Sequence, residues 1–174
     1  MIIKVKAKKL IIISGTPATG KSSIAEILVK NFGFVKIDWH DLIKRNKKLS
    51  SGYDQKKKCY ALNMSELEKV IDKIRLGHPT TQFLFDSHVA HYLPPEMVRL
   101  AIIMKCSNLE KLRARLEDRK YSKAKVKENL ECEIFDVCLD EAQEAGHKVL
   151  IFDTCKRIAK KDVIVSVKKK LRLK

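Results

Sequence analysis

Nowhere do the 174 residues carry an apolar run approaching the roughly 20 needed to span a bilayer, so no membrane partner is expected. The start, Met1-Ile2-Ile3-Lys4, lacks the apolar stretch and small-residue cleavage site of a secretory signal. No C-x-x-C spacing occurs. Cys59, Cys106, Cys132, Cys138 and Cys155 stand at irregular intervals, a poor framework for disulfides or for zinc. Free, buried thiols in a reducing compartment are the expectation, and with them a soluble intracellular protein. The cytoplasm is the expected location, with the nucleus open to it in a eukaryote. No internal repeat and no low-complexity linker divides the chain, whose length fits one domain.

Acidic residues are scarce as well. Against 37 Lys and Arg stand 21 Asp and Glu, a formal net charge of +16. That balance favours anionic partners such as nucleotides or RNA, although a solvated lysine-rich surface gives the same composition. The excess is uneven: residues 156–174 carry nine basic side chains and one acid, Asp162, and Lys44–Lys58 carries seven and one. A nucleotide site alone does not need so many, which leaves an RNA or ribonucleoprotein contact through these stretches in play.

What is present is a set of short apolar runs separated by helical patterns. Leu10-Ile11-Ile12-Ile13 has no polar alternation, as a central parallel strand covered on both faces requires. A helix is expected over about 21–31, ended by Gly33, and then a strand at Phe34–Ile37. Residues 38–77 read as an insertion of short helices and a loop around Ser50–Asp54, with a helical stripe at Leu67, Val70, Ile71 and Ile74. Phe83-Leu84-Phe85 ends at Asp86, Leu100–Met104 forms a fourth strand, and a helix follows over about 108–118. One long helix then buries Val126, Leu130, Ile134 and Val137. Lys148–Phe152 is a fifth strand, and the last helix buries Val163, Ile164, Val167 and Leu171. The alternation predicts an α/β three-layer domain on a five-stranded parallel sheet.

Gly15-Thr16-Pro17-Ala18-Thr19-Gly20-Lys21-Ser22 satisfies the G-x-x-x-x-G-K-[ST] phosphate-binding pattern, between a strand and a helix as that loop requires. Small residues let backbone N–H groups turn in around a phosphate at the positive end of the helix. Lys21 then reaches the β- and γ-phosphates of ATP, and the Ser22 hydroxyl joins a Mg²⁺ shell. Asp86, at the end of an apolar strand, suits the carboxylate that holds Mg²⁺ through water. His88, two residues on, is placed to meet a phosphate or position a water. No further ligand spacing supports His88 and His91 as a metal pair, and zinc is not expected. Arg115 and Arg119, four apart, share a helical face with Arg113 nearby, and would neutralise charge on a transferred phosphoryl group.

The pattern resembles the adenylate kinase isoenzyme 6 family, small P-loop kinases and ATPases linked to maturation of the small ribosomal subunit. Four segments carry the resemblance: Gly15–Ser23; Gly52-Tyr53-Asp54; Asp86-Ser87-His88; and Arg115–Tyr121 with Glu128–Ile134 downstream. It implies a nucleoside-monophosphate-kinase-like fold with an NMP-binding insertion at about 38–61 and a lid at about 118–128. It also implies Mg²⁺-dependent transfer from ATP to AMP with slower ATP hydrolysis, Asp86 and His88 as the Walker B pair, Arg119 as the lid arginine, and a small-subunit ribosomal protein as partner. The sequence departs from the family at Ala18, where glycine is usual and a methyl group is expected to be tolerated only if the backbone avoids positive φ. It departs again at Lys120, in place of the glycine before Tyr121, at Lys44, in place of an arginine, and at Lys56-Lys57-Lys58, in place of acids. Two other readings stand beside the kinase: an ATPase switch that grips a ribosomal protein or RNA, and a small-molecule kinase of the shikimate or gluconate type.

Overall fold

The structure is a computed structural model that describes residues 7–54, 59–156 and 158–173. Lys56, Lys57, Lys58, Arg157 and Lys174, which belong to the two basic stretches, lie outside the described residues. Five parallel strands form one sheet in the order β2 (Val35–Asp38), β5 (Phe83–Asp86), β1 (Leu10–Ser14), β6 (Val98–Lys105), β7 (Val149–Asp153). The expected five-stranded α/β architecture is observed.

The unbroken apolar run of β1 explains its central place. Leu10 and Ile12 face one side, in a core with Leu67 and Ile71 of α3 (Met64–Gly77), Leu42 of α2 (Trp39–Arg45) and Phe85. Ile11 and Ile13 face the other, against Ile24 and Leu28 of α1 (Lys21–Phe32) and Val163, Val167 and Leu171 of α7 (Lys160–Leu171). These four apolar side chains of β1 are fully buried, each worth about 1.5–3 kcal/mol relative to exposure. A third cluster joins α4 (Leu109–Asp118) to α5 (Lys123–Ile134) through Leu112, Leu116, Val126 and Leu130. Gly33 closes α1 at φ 65°, as expected. Side-chain oxygens cap three further helices: Asn63 for α3, Asn108 for α4 and Ser122 for α5, at about 1 kcal/mol each.

Three expectations are corrected. The segment after α2 is not a loop between helices but an antiparallel hairpin, β3 (Ser50–Asp54) with β4 (Cys59–Leu62), pairing Tyr53 with Tyr60. The long helix with Val126, Leu130, Ile134 and Val137 on one buried face is two helices, α5 and α6 (Val137–Glu144), broken where Asp136 takes φ 52°. Aspartate tolerates that left-handed conformation better than most residues, and its carboxylate pairs with Lys105. Ile134 and Phe135 are consequently exposed, at 54% and 68%. Free thiols are found at Cys132 and Cys138, but Cys106 and Cys155 form a disulfide across 49 residues. The cause is topological: β6 and β7 are parallel neighbours, with Lys105 opposite Asp153, so the residues just beyond their ends meet with Cα atoms 5.1 Å apart. No helix among the described residues is long and apolar enough to cross a membrane.

Candidate active site

Parallel α/β sheets collect ligands beyond the carboxyl ends of their strands, where the chain order switches direction. Here that place is the end of β1, which has β5 on one side and β6 on the other. A cleft of about 610 Å³ opens there, and Gly15, Lys21, Lys36, Asp86, His88 and Arg119 are among its walls.

The loop Gly15–Ser22 is built as its spacing predicts. Gly15 has φ 133°, and a Cβ there would lie 2.2 Å from the Met104 carbonyl oxygen, so no side chain fits. Gly20, at φ 86°, is the N-terminal boundary of α1, and no side chain caps this helix. Its first N–H groups are therefore available to an anion. Thr19, fully buried, fastens the loop through Oγ1 to the Thr16 carbonyl at 2.7 Å. Gly15, Thr16, Pro17, Lys21 and Ser22 line the cleft. Ser23 is exposed on the first turn of α1.

Ala18 overturns the condition attached to it. Its φ is 66°, inside the left-handed region, yet its methyl is 7% exposed and packs with Cys106, Leu112 and Leu116. Burial of the methyl offsets the backbone strain.

Lys21 Nζ donates to the carbonyls of Gly15 at 2.7 Å and Thr16 at 2.9 Å. Burial pushes its pKa down to about 8 against the pull of Asp86, and Arg119 lowers it further. Ser22 Oγ donates to Asp86 Oδ2 at 3.1 Å. The Asp86 side chain is 7% exposed and also receives Lys36 Nζ at 3.2 Å. A hydroxyl and a buried carboxylate this close, at the phosphate loop, fit a magnesium ion, which takes one or two protein oxygens together with phosphate and water. Lys36 supplies the positive charge to the same carboxylate.

His88 stands on the turn after β5, its ring edge-on to Trp39 with centroids 6.5 Å apart. Its surface reaches the cleft, while the protein packed around the rest of the ring and the nearby Lys21 and Lys125 charges push its pKa down to about 4. His91 does not pair with it: the His91 ring is buried and meets Ser14 and Glu141. Among the described residues no cluster of three His, Cys, Asp or Glu is arranged to hold a metal.

The two arginines part company. Arg119 ends α4 and lines the cleft. Arg115 instead braces the loops, donating to Thr154 Oγ1 at 3.1 Å and the Ala18 carbonyl at 3.4 Å. Arg115 is not among the cleft walls; its guanidinium reaches the backbone of the phosphate loop at Ala18 instead. Arg113 lies in a separate groove between α4 and α5. Lys44 is absent from the cleft walls, and Arg45 faces a groove between α2 and α3. Asp38 caps α2, accepting from the His40 and Asp41 amides at 2.9 and 3.0 Å, which hold its carboxyl below the usual range.

Sequence reasoning missed Lys36, Lys125 and Thr154. Lys125 sits 5.0 Å from the Tyr121 ring centroid and lines the cleft. Lys36 carried no motif, and only the pairing of β2 with β5 brings it to Asp86.

The chain is similar to several known proteins. The family described as AAA domain matches residues 11–136. A putative adenylate kinase of Methanocaldococcus jannaschii is 37% identical over 84% of this chain and 77% of its own length. The adenylate kinase isoenzyme 6 homolog of Caenorhabditis elegans is 34% identical over 82% and 77%, respectively. Among solved structures, a putative kinase from Chloroflexus aurantiacus covers 98% of both chains at a TM-score of 0.51 and 18% identity. A gluconokinase from Sinorhizobium meliloti covers 96% of this chain and 93% of its own at 0.50 and 12%. At those identities the structural likeness concerns the fold alone.

Proposed function

Since the chain belongs to the adenylate kinase isoenzyme 6 family of P-loop kinases, we propose that it transfers the γ-phosphoryl group of ATP to AMP, with slower hydrolysis of ATP. The observation that carries this reading is the juxtaposition of Lys21, Ser22 and Asp86 at the ends of β1 and β5. Lys21 leaves the Gly15 and Thr16 carbonyls to bind the β- and γ-phosphates, which the α1 amides and loop backbone surround. Mg²⁺, held by Ser22 and, through water, by Asp86, would supply charge neutralisation between phosphates. Arg119 closes from the lid, residues 118–128, onto charge developing on the transferred group. His88 orients the attacking oxygen. The insertion at about 38–61, whose Asp38, Trp39 and His40 reach the cleft wall, receives AMP.

The test follows nucleotides by chromatography with ATP and Mg²⁺, with and without AMP. ADP formed well above the AMP-free rate, with AMP consumed, is the expected result. Lys21→Met should cost at least ~10²-fold in kcat/KM, and His88→Ala should lower kcat. If AMP changes nothing while ATP is hydrolysed slowly, the kinase reading fails in favour of the ATPase switch.

A role in small-ribosomal-subunit maturation, with contact to a ribosomal protein or RNA, belongs to the same proposal. Supporting it, Lys160, Lys161, Lys168, Lys169 and Arg172 are exposed on or at the end of α7. Charge reversal there should weaken RNA binding and its salt dependence while sparing ADP formation.

A further inference from the structure

At the wall of the cleft, which His91 and Glu141 line, Ser14, His91 and Glu141 stand in a row. Ser14 Oγ lies 2.6 Å from His91 Nδ1, and His91 Nε2 lies 2.8 Å from Glu141 Oε2. The order resembles a hydrolytic serine triad, but Ser14 is fully buried and His91 is 2% exposed, so no substrate reaches the hydroxyl. The Ser14 oxygen also lies 3.2 Å from the main-chain carbonyl of His88. Four elements meet at these atoms: the end of β1, the turn after β5, the short helical turn Ala90–Tyr92 and α6.

We propose that Ser14, His91 and Glu141 form a relay that ties the turn carrying His88 to the end of β1, at the start of the phosphate loop. The proposal rests on the reading of His88 as part of the transfer site and makes Ser14 and His91 positioning residues.

Hydrogen counting supports it. Ser14 has one hydroxyl hydrogen and two neighbours able to take it, the His88 carbonyl and His91 Nδ1. When Nδ1 carries its own hydrogen and donates to Ser14, the hydroxyl is released to the His88 carbonyl. When Nδ1 is bare, it takes the hydroxyl hydrogen and the His88 carbonyl loses its donor. Glu141 determines which arrangement holds: it accepts from His91 Nε2 and, through its other oxygen, from Tyr92 OH at 3.3 Å, so the neutral ring carries its hydrogen on Nε2, Nδ1 is bare, and Ser14 donates to His91. His147 fixes the backbone of the same turn, its Nε2 donating to the His91 carbonyl at 2.9 Å. Besides this relay, the turn is joined to β1 by the Ser87 amide, which donates to the Ile13 carbonyl at 3.2 Å. The Ser14–His91 bond is thus a second tie between β1 and the segment that carries His88.

The test measures ADP formation and thermal melting for Ser14→Ala, Ser14→Thr, Glu141→Gln, His88→Ala and the Ser14→Ala/His88→Ala pair. Ser14→Ala should lower kcat by ~10-fold with KM little changed, Ser14→Thr should restore most of the loss, and Ser14→Ala should add nothing once His88 is absent. An imidazole N–H resonance of His91, slow to exchange in the wild type, should vanish in Glu141→Gln. Equal losses from Ser14→Ala with and without His88 would sink the relay and leave the transfer site standing, as would a missing resonance in the folded wild type. A His88→Ala enzyme with full activity would remove both the relay's purpose and the role assigned to His88. Melting separates either result from loss of the fold.

Discussion

Replacing Lys120 with glycine should raise the melting temperature, and the structure lets the size of the effect be worked out. Lys120 follows the last turn of α4 at φ 58°. Its amide donates to the Glu117 carbonyl at 2.7 Å, and the Tyr121 amide donates to the Leu116 carbonyl at 3.4 Å. Those two bonds are the Schellman helix ending, completed by contact of Tyr121 with the cluster that holds Leu116. A left-handed non-glycine residue costs roughly 1–2 kcal/mol. Glycine gives back about 0.4–1 kcal/mol in the entropy of the unfolded chain, and the lost lysine charge near the helix end about 0.3 kcal/mol. The net gain is about 0.5 kcal/mol, or roughly 1–2 °C for a chain of this size. Ala18→Gly is the control. The same backbone relief applies at φ 66°, but about 0.8 kcal/mol of methyl burial is lost, so no gain is expected. Calorimetry of both variants decides the matter. A destabilised Lys120→Gly, or an Ala18→Gly gain as large as that at 120, would refute the assignment of strain and packing at these positions.

The disulfide makes a larger difference: Cys155→Ser should destabilise by about 2–4 kcal/mol, and thiol titration of the unfolded, unreduced wild type should miss the Cys106–Cys155 pair until reductant is added. Stability should fall in mild acid. Burial holds His91 below the ordinary histidine pKa of 6.5, against the pull of Glu141; the unfolded chain therefore takes up its proton first, and the contribution is complete above pH 6.5 and lost as pH drops below it. Melts between pH 8 and 5 should show this slope, reduced in His91→Gln; an unchanged slope would contradict it. Lys36→Met should tighten Mg²⁺ binding to the ADP complex in calorimetry, because an ammonium 3.2 Å from Asp86 Oδ2 competes with the metal; weaker binding would show that Lys36 supports the site instead.

The parts legible in the sequence were those encoded by neighbours along the chain. The isoleucines of β1 announce a strand buried on both faces, and the phosphate loop follows from the spacing of Gly15, Gly20 and Lys21. The apolar run Phe83–Phe85 places Asp86 correctly at a strand end. Illegible were features set by which strands lie side by side. The Lys36–Asp86 contact needs the β2–β5 register, and the Cys106–Cys155 bond needs β6 beside β7. The turning of Arg115 toward Thr154 requires the loop after β7 to pass beside Gly20 of the phosphate loop. The hairpin at 50–62 was hidden because Ser50-Ser51-Gly52 carries no β-branched or aromatic signal. The break at Asp136 was hidden because the apolar spacing continues across it to Val137.

The direction in which the strands run leaves the two described ends of the chain far from the chemistry. β1 leads from residue 10 toward the cleft, and α7 returns from the cleft side, with Arg99 at the start of β6 donating to the Leu171 carbonyl at 2.7 Å and Lys148 donating to that of Lys170 at 2.5 Å. Both ends therefore emerge at the amino edge of the sheet. A tether or surface anchor joined to either described end would hold the molecule with its cleft facing outward, leaving the phosphate loop open to solvent.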